Sequence, residues 1–301
     1  MLSHSEVIDR LGSPNVLVIG DLILDLYVEG RAERVSPEAP VLVFQSGRSS
    51  LRLGGAGNVA ANVVSAGGHA TCLGLVGDDV RARQLQDLVE EAGISSEGLV
   101  IDEDRPTTVK TRFVSGTHQV LRVDEESRAE VGTEARKRML AFLEARMSAF
   151  DAVILSDYGK GALAPALIKQ AVALARAKGI PILVDPKGLD FSKYAGATLI
   201  TPNKAEAEAA TGMRIGGDEE LRAVARRLVE VASLDSVVVT LGPEGIFYRT
   251  KGGTEGLLPT EARAVYDVTG AGDTVVALLG LGLGAGLGLE EAVRLANLAA
   301  G

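Results

Sequence analysis

Asn15-Val-Leu-Val-Ile-Gly20, with Asp21 directly behind it, is a short aliphatic run that ends at a glycine and an acid. An apolar run without polar alternation fits a strand covered on both faces, the environment of a parallel sheet between helices. Runs of the same kind recur at Ala70 to Val76, Ala152 to Ser156, Ile180 to Asp185, Ala197 to Thr201 and Ser236 to Leu241. Helical patterns fill the intervals, at Ala56 to Ala66, Asp78 to Ala92, Thr133 to Ala149, Leu163 to Ala177 and Asp218 to Ala232. Strand alternating with helix predicts an α/β fold on a doubly wound, mainly parallel sheet. The longest apolar stretch, Val275 to Leu289, is too short and too rich in glycine for a bilayer span and reads as a tightly packed buried helix.

Two regions break the alternation. Val41 to Gln45, and the pair Thr107 to Val114 and Gln119 to Asp124 joined by a turn at Ser115 to His118, read as antiparallel strands. They predict a small antiparallel β lid, drawn from residues 26–46 and 105–125, on a single domain covering residues 1–301.

With 46% hydrophobic and 24% charged residues, the chain has the balance of a globular protein with a large aliphatic core. A formal net charge of -9 argues against a nucleic-acid partner, because phosphate backbones are bound by concentrated Lys and Arg. A small anionic substrate remains compatible with it, since a few local cations outweigh a distant acidic surface. Cys72 is the only cysteine, which excludes an internal disulfide and cysteine-based zinc sites and suits a reducing cytoplasm. It sits in an apolar strand and reads as core packing. His4, His69 and His118 are scattered and receive no metal or catalytic role. Met1 to Asn15 lacks the apolar core of a secretory signal, so the expectation is a cytoplasmic protein without a membrane partner.

In open α/β sheets ligands bind beyond the carboxyl ends of the strands, where a helix beginning there offers unpaired N–H groups to anions. Tyr266 to Thr274 has the composition of such a site. Gly270, Ala271 and Gly272 are small enough for phosphate oxygens to approach the backbone, and the apolar helix behind them supplies a positive dipole end. Asp273 then falls in the first helical turn, where a carboxylate can accept the proton of an attacking hydroxyl. The alternative is a glycine turn with Asp273 as an ordinary cap. Near the N-terminus, Gly54 and Gly55 would let a ligand approach the backbone, and Asn58 offers a donor and an acceptor to hydroxyls.

With these motifs in this order the chain resembles the ribokinase-like (PfkB) carbohydrate kinases. Their C-terminal signature, DTTGAGD, stands here as Asp267-Val-Thr-Gly-Ala-Gly-Asp273, with Val268 substituted, and their glycine-rich N-terminal run as Leu53-Gly-Gly-Ala-Gly-Asn58. The resemblance implies transfer of the γ-phosphoryl group of ATP, with Asp273 as base, the amides of Gly270 to Asp273 as anion hole, and Asp267 beside a monovalent cation such as K+. It assigns Asp25, Gly54, Gly55 and Asn58 to the sugar. Asn203 and Glu206 match an NxxE pattern that places Mg2+ and phosphate, Glu206 acting through metal-bound water. Thr240, Gly242 and Gly245 match a nucleotide-contacting turn, and Asn297 a position near adenine and ribose. Read locally, Asp25 could instead be a turn residue and Glu206 a carboxylate at a helix N-terminus.

Within the family the chain resembles the D-glycero-D-manno-heptose 7-phosphate kinases, over Arg34 to Val41, Gln119 to Asp124, Leu155 to Gly161, Val184 to Gly188 and Ala197 to Asn203. Those enzymes phosphorylate the anomeric hydroxyl to give the 1,7-bisphosphate, on the route to ADP-heptose for cell-envelope lipopolysaccharide. A substrate that already bears phosphate needs cations, for which Lys160, Lys187, Arg112 and Arg122 are candidates. A homodimer is the expected assembly. Family members continue past the position of Gly301 through a segment that helps complete the nucleotide and cation sites, and some heptose kinases carry a fused nucleotidyltransferase domain; neither lies within these 301 residues. Other readings are a related kinase for fructose, ribose or a nucleoside, and a non-catalytic sugar-binding protein on the same scaffold. A dinucleotide-binding oxidoreductase is disfavoured, because Gly20 to Asp25 lacks the closely spaced glycines of a pyrophosphate turn.

Overall fold

The computed structural model describes residues 10–260 and 270–300. Its strands, in chain order, are β1 (Asn15–Gly20), β2 (Leu22–Val35), β3 (Leu42–Gly55), β4 (His69–Val76), β5 (Ser95–Ile101), β6 (Val109–Ser115), β7 (His118–Glu125), β8 (Ala152–Ser156), β9 (Ile182–Asp185), β10 (Leu199–Ile200), β11 (Ser236–Thr240), β12 (Ile246–Thr250) and β13 (Glu255–Leu258). The α-helices are α1 (Ala56–Ser65), α2 (Val80–Glu91), α3 (Thr133–Arg146), α4 (Pro165–Lys178), α5 (Lys204–Thr211), α6 (Asp218–Val231), α7 (Ala271–Gly284) and α8 (Leu289–Ala300).

Nine strands form one sheet in the order β13-β12-β11-β10-β9-β8-β1-β4-β5, parallel from β5 to β11 and closed by the antiparallel hairpin of β12 and β13. Alternation along β1 divides the core in two. Val16 and Val18 face a layer that includes Val59 of α1, Val276 of α7 and Val293 of α8, while Leu17 and Ile19 face one with Met139 of α3, Ile168 of α4 and Val224 of α6. Helices on both faces explain why these strands read as unbroken aliphatic runs. Cys72, in β4, belongs to this interior, and burial pushes its thiol up to about 12, so it stays protonated and inert.

From β1 the chain winds one way to β4 and β5, then returns to the other side of β1 as β8. The crevice at such a reversal, beyond the carboxyl ends of β1 and β8, is where an open α/β sheet binds ligands.

The apolar stretch expected as one helix is helical as far as Gly284, where α7 ends, and then turns into α8, which begins at Leu289. Its glycines are there for packing. A Cβ on Gly280 would sit 2.7 Å from Ile154 Cδ1 on β8, and one on Gly282 would sit 2.9 Å from Ala292 Cβ on α8. Among the described residues no helix is long and apolar enough to cross a membrane.

A second sheet of four strands, in the order β3-β2-β6-β7, forms the lid. Two antiparallel hairpins, β2 with β3 and β6 with β7, are joined by a parallel pairing of β2 with β6. The lid is larger than Val41 to Gln45 and the Thr107 to Asp124 pair suggested. Its strands β2 and β3 each span 14 residues, the amino end of β2 following directly on β1 and the carboxyl end of β3 leading directly into α1.

Gly20 is the tightest point of the crevice floor, since a Cβ there would lie 2.1 Å from the Ser156 carbonyl oxygen on β8. Backbone cannot yield as a side chain does. Gly20→Val is therefore expected to destabilise the fold by about 1–3 kcal/mol, the usual range for overpacking, as a lowered midpoint in urea unfolding.

Candidate active site

The crevice opens into a cleft of about 410 Å³ between the lid and the carboxyl ends of the strands. Four segments build it: the ends of β8 and β9, the start of α5, the paired amino termini of α1 and α7, and the inner face of the lid.

Asp273 lies in the first turn of α7 and is 7% exposed. Its carboxylate accepts two hydrogen bonds, from Asn58 Nδ2 on α1 at 2.6 Å and from the Tyr158 hydroxyl at 2.8 Å. Burial raises the pKa of Asp273 and nearby Asp25 adds to the rise, while the donors from Asn58 and Tyr158 pull it back. A carboxylate lifted toward ambient pH yet held ionisable is suited to take a proton. Both oxygens are oriented, and the helices that carry them are locked one turn further in by Thr274 Oγ1 donating to Asn62 Oδ1 at 3.2 Å.

Gly270 takes a left-handed conformation, φ 87°, at the mouth of α7, and the helix has no side-chain cap. The N–H groups of Ala271, Gly272 and Asp273 thus begin a helix without a protein acceptor from the cap position, next to the Asp273 carboxylate. Gly272 faces open space. Asp267 lies outside the described residues.

The two N-terminal glycines make room in a way the sequence did not suggest. A Cβ on Gly54 would sit 2.6 Å from Asp25 Oδ2, and one on Gly55, φ 56°, would sit 2.3 Å from the Asp21 carbonyl oxygen. They let α1 start hard against β1 and leave Asp25 its place in the cleft, where its Oδ1 accepts from Arg112 Nη1 at 2.6 Å. Asp25 is part of strand β2, and not of a turn.

Asp21 is the residue that sequence reading passed over. Buried and 3% exposed, it accepts the backbone N–H groups of Tyr158 at 2.9 Å, Lys160 at 3.0 Å and Ala162 at 3.0 Å. Burial raises its pKa and those amides oppose the rise. It thereby moulds the loop after β8 that presents Tyr158 to Asp273. The signal was an acid immediately after the first strand, four residues before the one chosen. Asp157, in the same loop, is tied down by Lys193 Nζ at 2.8 Å and the Tyr194 hydroxyl at 2.6 Å.

At the other end of the cleft, Asn203 and Glu206 form a capping box on α5: Asn203 Oδ1 accepts from the Glu206 amide at 2.9 Å and Glu206 Oε2 from the Asn203 amide at 3.1 Å. Glu206 Oε1 accepts from Lys187 Nζ at 3.0 Å. The carboxylate of Asp185, at the end of β9, has no hydrogen-bond partner among the described residues, and its pKa is held well above the usual range by burial and by Asp273 and Glu206, with Lys187 in opposition. Two neighbouring carboxylates fit a divalent cation, and Mg2+ takes only one or two of its ligands from protein carboxylates. No group of three or more His, Cys, Asp or Glu side chains placed to hold a metal ion occurs among the described residues.

The cations divide. Arg112 and Lys187 line the cleft, together with Arg52 and Lys110, which sequence reading did not select. Lys160 does not: it is buried, and its ammonium pairs with Glu126 at 2.5 Å, just beyond β7. Removing it from water is compensated only by that partner, which commits it to fastening the lid's end to the β8 loop. Arg122 pairs with Asp124 at 2.9 Å at the outer edge of the lid, away from the cleft. Lys187 pairs with Glu206 at 3.0 Å, at the end of the cleft beside α5. Thr240, Gly242 and Gly245 cluster at the end of β11, where Thr240 bridges to Asn203, but they do not line the cleft. Asn297 Nδ2 donates to the Pro259 carbonyl at 2.8 Å.

A model of the pfkB family of carbohydrate kinases matches residues 13–301. Curated relatives include the bifunctional protein HldE of Geobacter sulfurreducens, 47% identical over 96% of this chain, and that of Pelobacter propionicus, 44% identical over 99%. The chain spans 59% and 61% of their lengths. Among solved structures, an Arabidopsis thaliana ribokinase complexed with ribose and ATP superposes with a TM-score of 0.76 at 19% identity, covering 96% of this chain and 91% of that one. Phosphofructokinase-2 from Escherichia coli, in complex with substrates and products, gives 0.77 at 20% identity, covering 96% and 92%. The fold is shared with both.

Tyr158 stabilises the ionised form of Asp273, so removing its hydroxyl should raise the carboxyl's pKa further. In Tyr158→Phe the Asp273 carboxyl is expected to titrate at higher pH than in the wild type, because a hydrogen bond to its charged form is lost, when followed by carbon-13 NMR. An unchanged titration would separate the tyrosine from the base.

Proposed function

Because the chain belongs to the pfkB family of carbohydrate kinases, we propose that it uses ATP to phosphorylate the anomeric hydroxyl of D-glycero-D-manno-heptose 7-phosphate, giving the 1,7-bisphosphate on the route to ADP-heptose and lipopolysaccharide. The observation that carries this reading is Asp273: a buried carboxylate, oriented by Asn58 and Tyr158, in the first turn of an uncapped helix. The motifs shared with heptose 7-phosphate kinases, and the HldE relatives that match nearly the whole chain, support the choice of sugar.

The residues divide the work. Asp273 accepts the proton of the anomeric hydroxyl as the hydroxyl oxygen attacks the γ-phosphorus and the bond to the β,γ-bridging oxygen breaks to release ADP, while Asn58 and Tyr158 hold both carboxylate oxygens in place. The uncapped amides of Ala271 to Asp273 offer hydrogen bonds to the charge that builds on the transferring group. Asp25 and Asn58 orient sugar hydroxyls beneath the lid. Asp185 and Glu206 would hold Mg2+, which when bound neutralises phosphate charge. Lys187, beside Glu206, adds a cation at the same end. The lid strands exclude water, so that the hydroxyl and not water is the acceptor. Thr240, Gly242, Gly245 and Asn297 serve the nucleotide from the β11 edge, with Asp267 at a K+ site. The reaction runs in the cytoplasm.

We also propose a homodimer joined through the lids. Register places Leu121 and Val123 of β7 on the outer face beside Phe113 and Thr111, and they are 54% and 41% exposed. Apolar side chains in a row on a sheet face are the composition of an interface.

A coupled assay of ATP consumption tests the chemistry. The wild type is expected to turn over heptose 7-phosphate in preference to ribose or fructose, and Asp273→Asn to lose at least about 10²-fold in kcat, the contribution of a general base. Near-normal turnover in the variant overturns the assignment. For the assembly, light scattering is expected to report a dimer for the wild type and a monomer for a Leu121→Glu, Val123→Glu double variant.

A further inference from the structure

The lid face that roofs the cleft carries positive charge that the transfer chemistry leaves unused. Side chains alternate along a strand, so Lys110 and Arg112 of β6 project to the same side, and Arg52 of β3 joins them in lining the cleft. Register fixes their neighbours: Arg52, Asp25 and Lys110 lie in one row across β3, β2 and β6, and Tyr27 pairs with Arg112 in the next. The guanidinium carbons of Arg52 and Arg112 lie 5.0 Å and 5.3 Å from the Tyr27 ring centroid, so one ring steadies both cations.

Asp25 accounts for one of the three charges, through its 2.6 Å contact with Arg112. Neither Arg52 nor Lys110 has a carboxylate partner among the described residues. Lys110 is half-buried, and its pKa is held below the ordinary lysine range by that burial and by Lys160 and Arg112, against the pull of Asp25 and Asp124. A partly desolvated ammonium among other cations falls in energy when an anion arrives. The remaining cations of the region are already engaged, Lys160 by Glu126 at 2.5 Å, Lys187 by Glu206 at 3.0 Å and Arg122 by Asp124 at 2.9 Å. One tyrosine spans from the base to this roof: the Tyr158 hydroxyl is 2.8 Å from Asp273, and its ring centroid is 5.7 Å from Lys110 Nζ.

We propose that Arg52, Lys110 and Arg112 form a phosphomonoester subsite, which holds the phosphate already borne by the sugar whose hydroxyl reaches Asp273. The proposal rests on the kinase reading above and deepens it. It moves recognition of the substrate's anion from Lys160 and Lys187 to the lid. Because these three residues stand on the lid's own strands, gripping the phosphate and covering the cleft become one event, and binding energy from the remote end of the sugar is used to assemble the reacting end.

Two measurements on the full chain test it. Calorimetric titration with inorganic phosphate, in the absence of nucleotide and sugar, is expected to show binding that weakens at least about tenfold in Lys110→Gln and in Arg52→Gln, as loss of a charge-assisted contact should. Arg122→Gln, on the same sheet but paired at its outer edge, should bind as the wild type does. In turnover, the ratio of kcat/KM for heptose 7-phosphate to that for unphosphorylated heptose should fall at least about tenfold in Lys110→Gln, mainly through KM. Phosphate affinity unchanged in both variants, or no phosphate binding by the wild type, overturns the subsite. A wild type that phosphorylates neither sugar overturns the kinase reading instead, and leaves the titration to decide the subsite alone.

Discussion

A carboxylate buried at the end of the first strand organises the whole crevice. Asp21 is removed from water, a costly position for an acid, and the cost is offset by three backbone N–H groups from the loop after β8. These bonds cross the sheet's point of reversal, from β1 to the strand that returns beside it. Without them the loop would have no reason to fold back over the strand ends, and Tyr158 would not reach Asp273. The Asp21 carbonyl does a second task by accepting the first amide of α1, at 3.0 Å, close enough that residue 55 must be glycine. One residue therefore aligns both partners of the base, Tyr158 through its side chain and Asn58 through its backbone.

The body of the fold was legible because every central strand is covered on both faces, so burial writes itself as an unbroken aliphatic run. The lid is wetted on one side and packed on the other only near its root, and there the same logic hides it. Ser46 to Arg52 looks like a polar loop and is strand, because its polar side chains face a cleft or solvent rather than a core. Leu22, Leu24, Leu26 and Val28 did alternate with Ile23, Asp25, Tyr27 and Glu29, a period-two signal overshadowed by the glycine and acid that closed β1. The same alternation on β6 pairs Lys110 with Arg112, so a reader who accepts Arg112 as cleft-facing should take Lys110 with it.

For the site, motif and geometry contributed different things. The glycine strings located the two helix mouths that meet at Asp273, but what their glycines make room for, the Asp25 carboxylate and the Asp21 carbonyl, depends on strands that pair only in three dimensions. Lysines were harder. A lysine after a strand end is equally well placed to bind a ligand or to close an ion pair, and only Glu126, 34 residues away in sequence from Lys160, decides which.

Electrostatics then explains why the two halves of the cleft need a ligand between them. The floor collects Asp273, Asp185 and Glu206; burial pushes the first two toward protonation, and the charges of Asp273 and Glu206 push Asp185 further. The roof collects Arg52, Lys110 and Arg112, with Lys110 pushed the opposite way. Direct pairing across the cleft would cancel both, yet among the described residues no ion pair joins floor to roof, and Asp25 and Arg112 pair within the lid itself. Arg52, Lys110 and Arg112 on one side and Asp273, Asp185 and Glu206 on the other line the cleft between them. A ligand with an acidic hydroxyl proton for the floor and an anion for the roof satisfies both at once, whereas one lacking either end leaves a desolvated charge uncompensated. In an acidic protein of net charge -9, selectivity for an anion has to be this local.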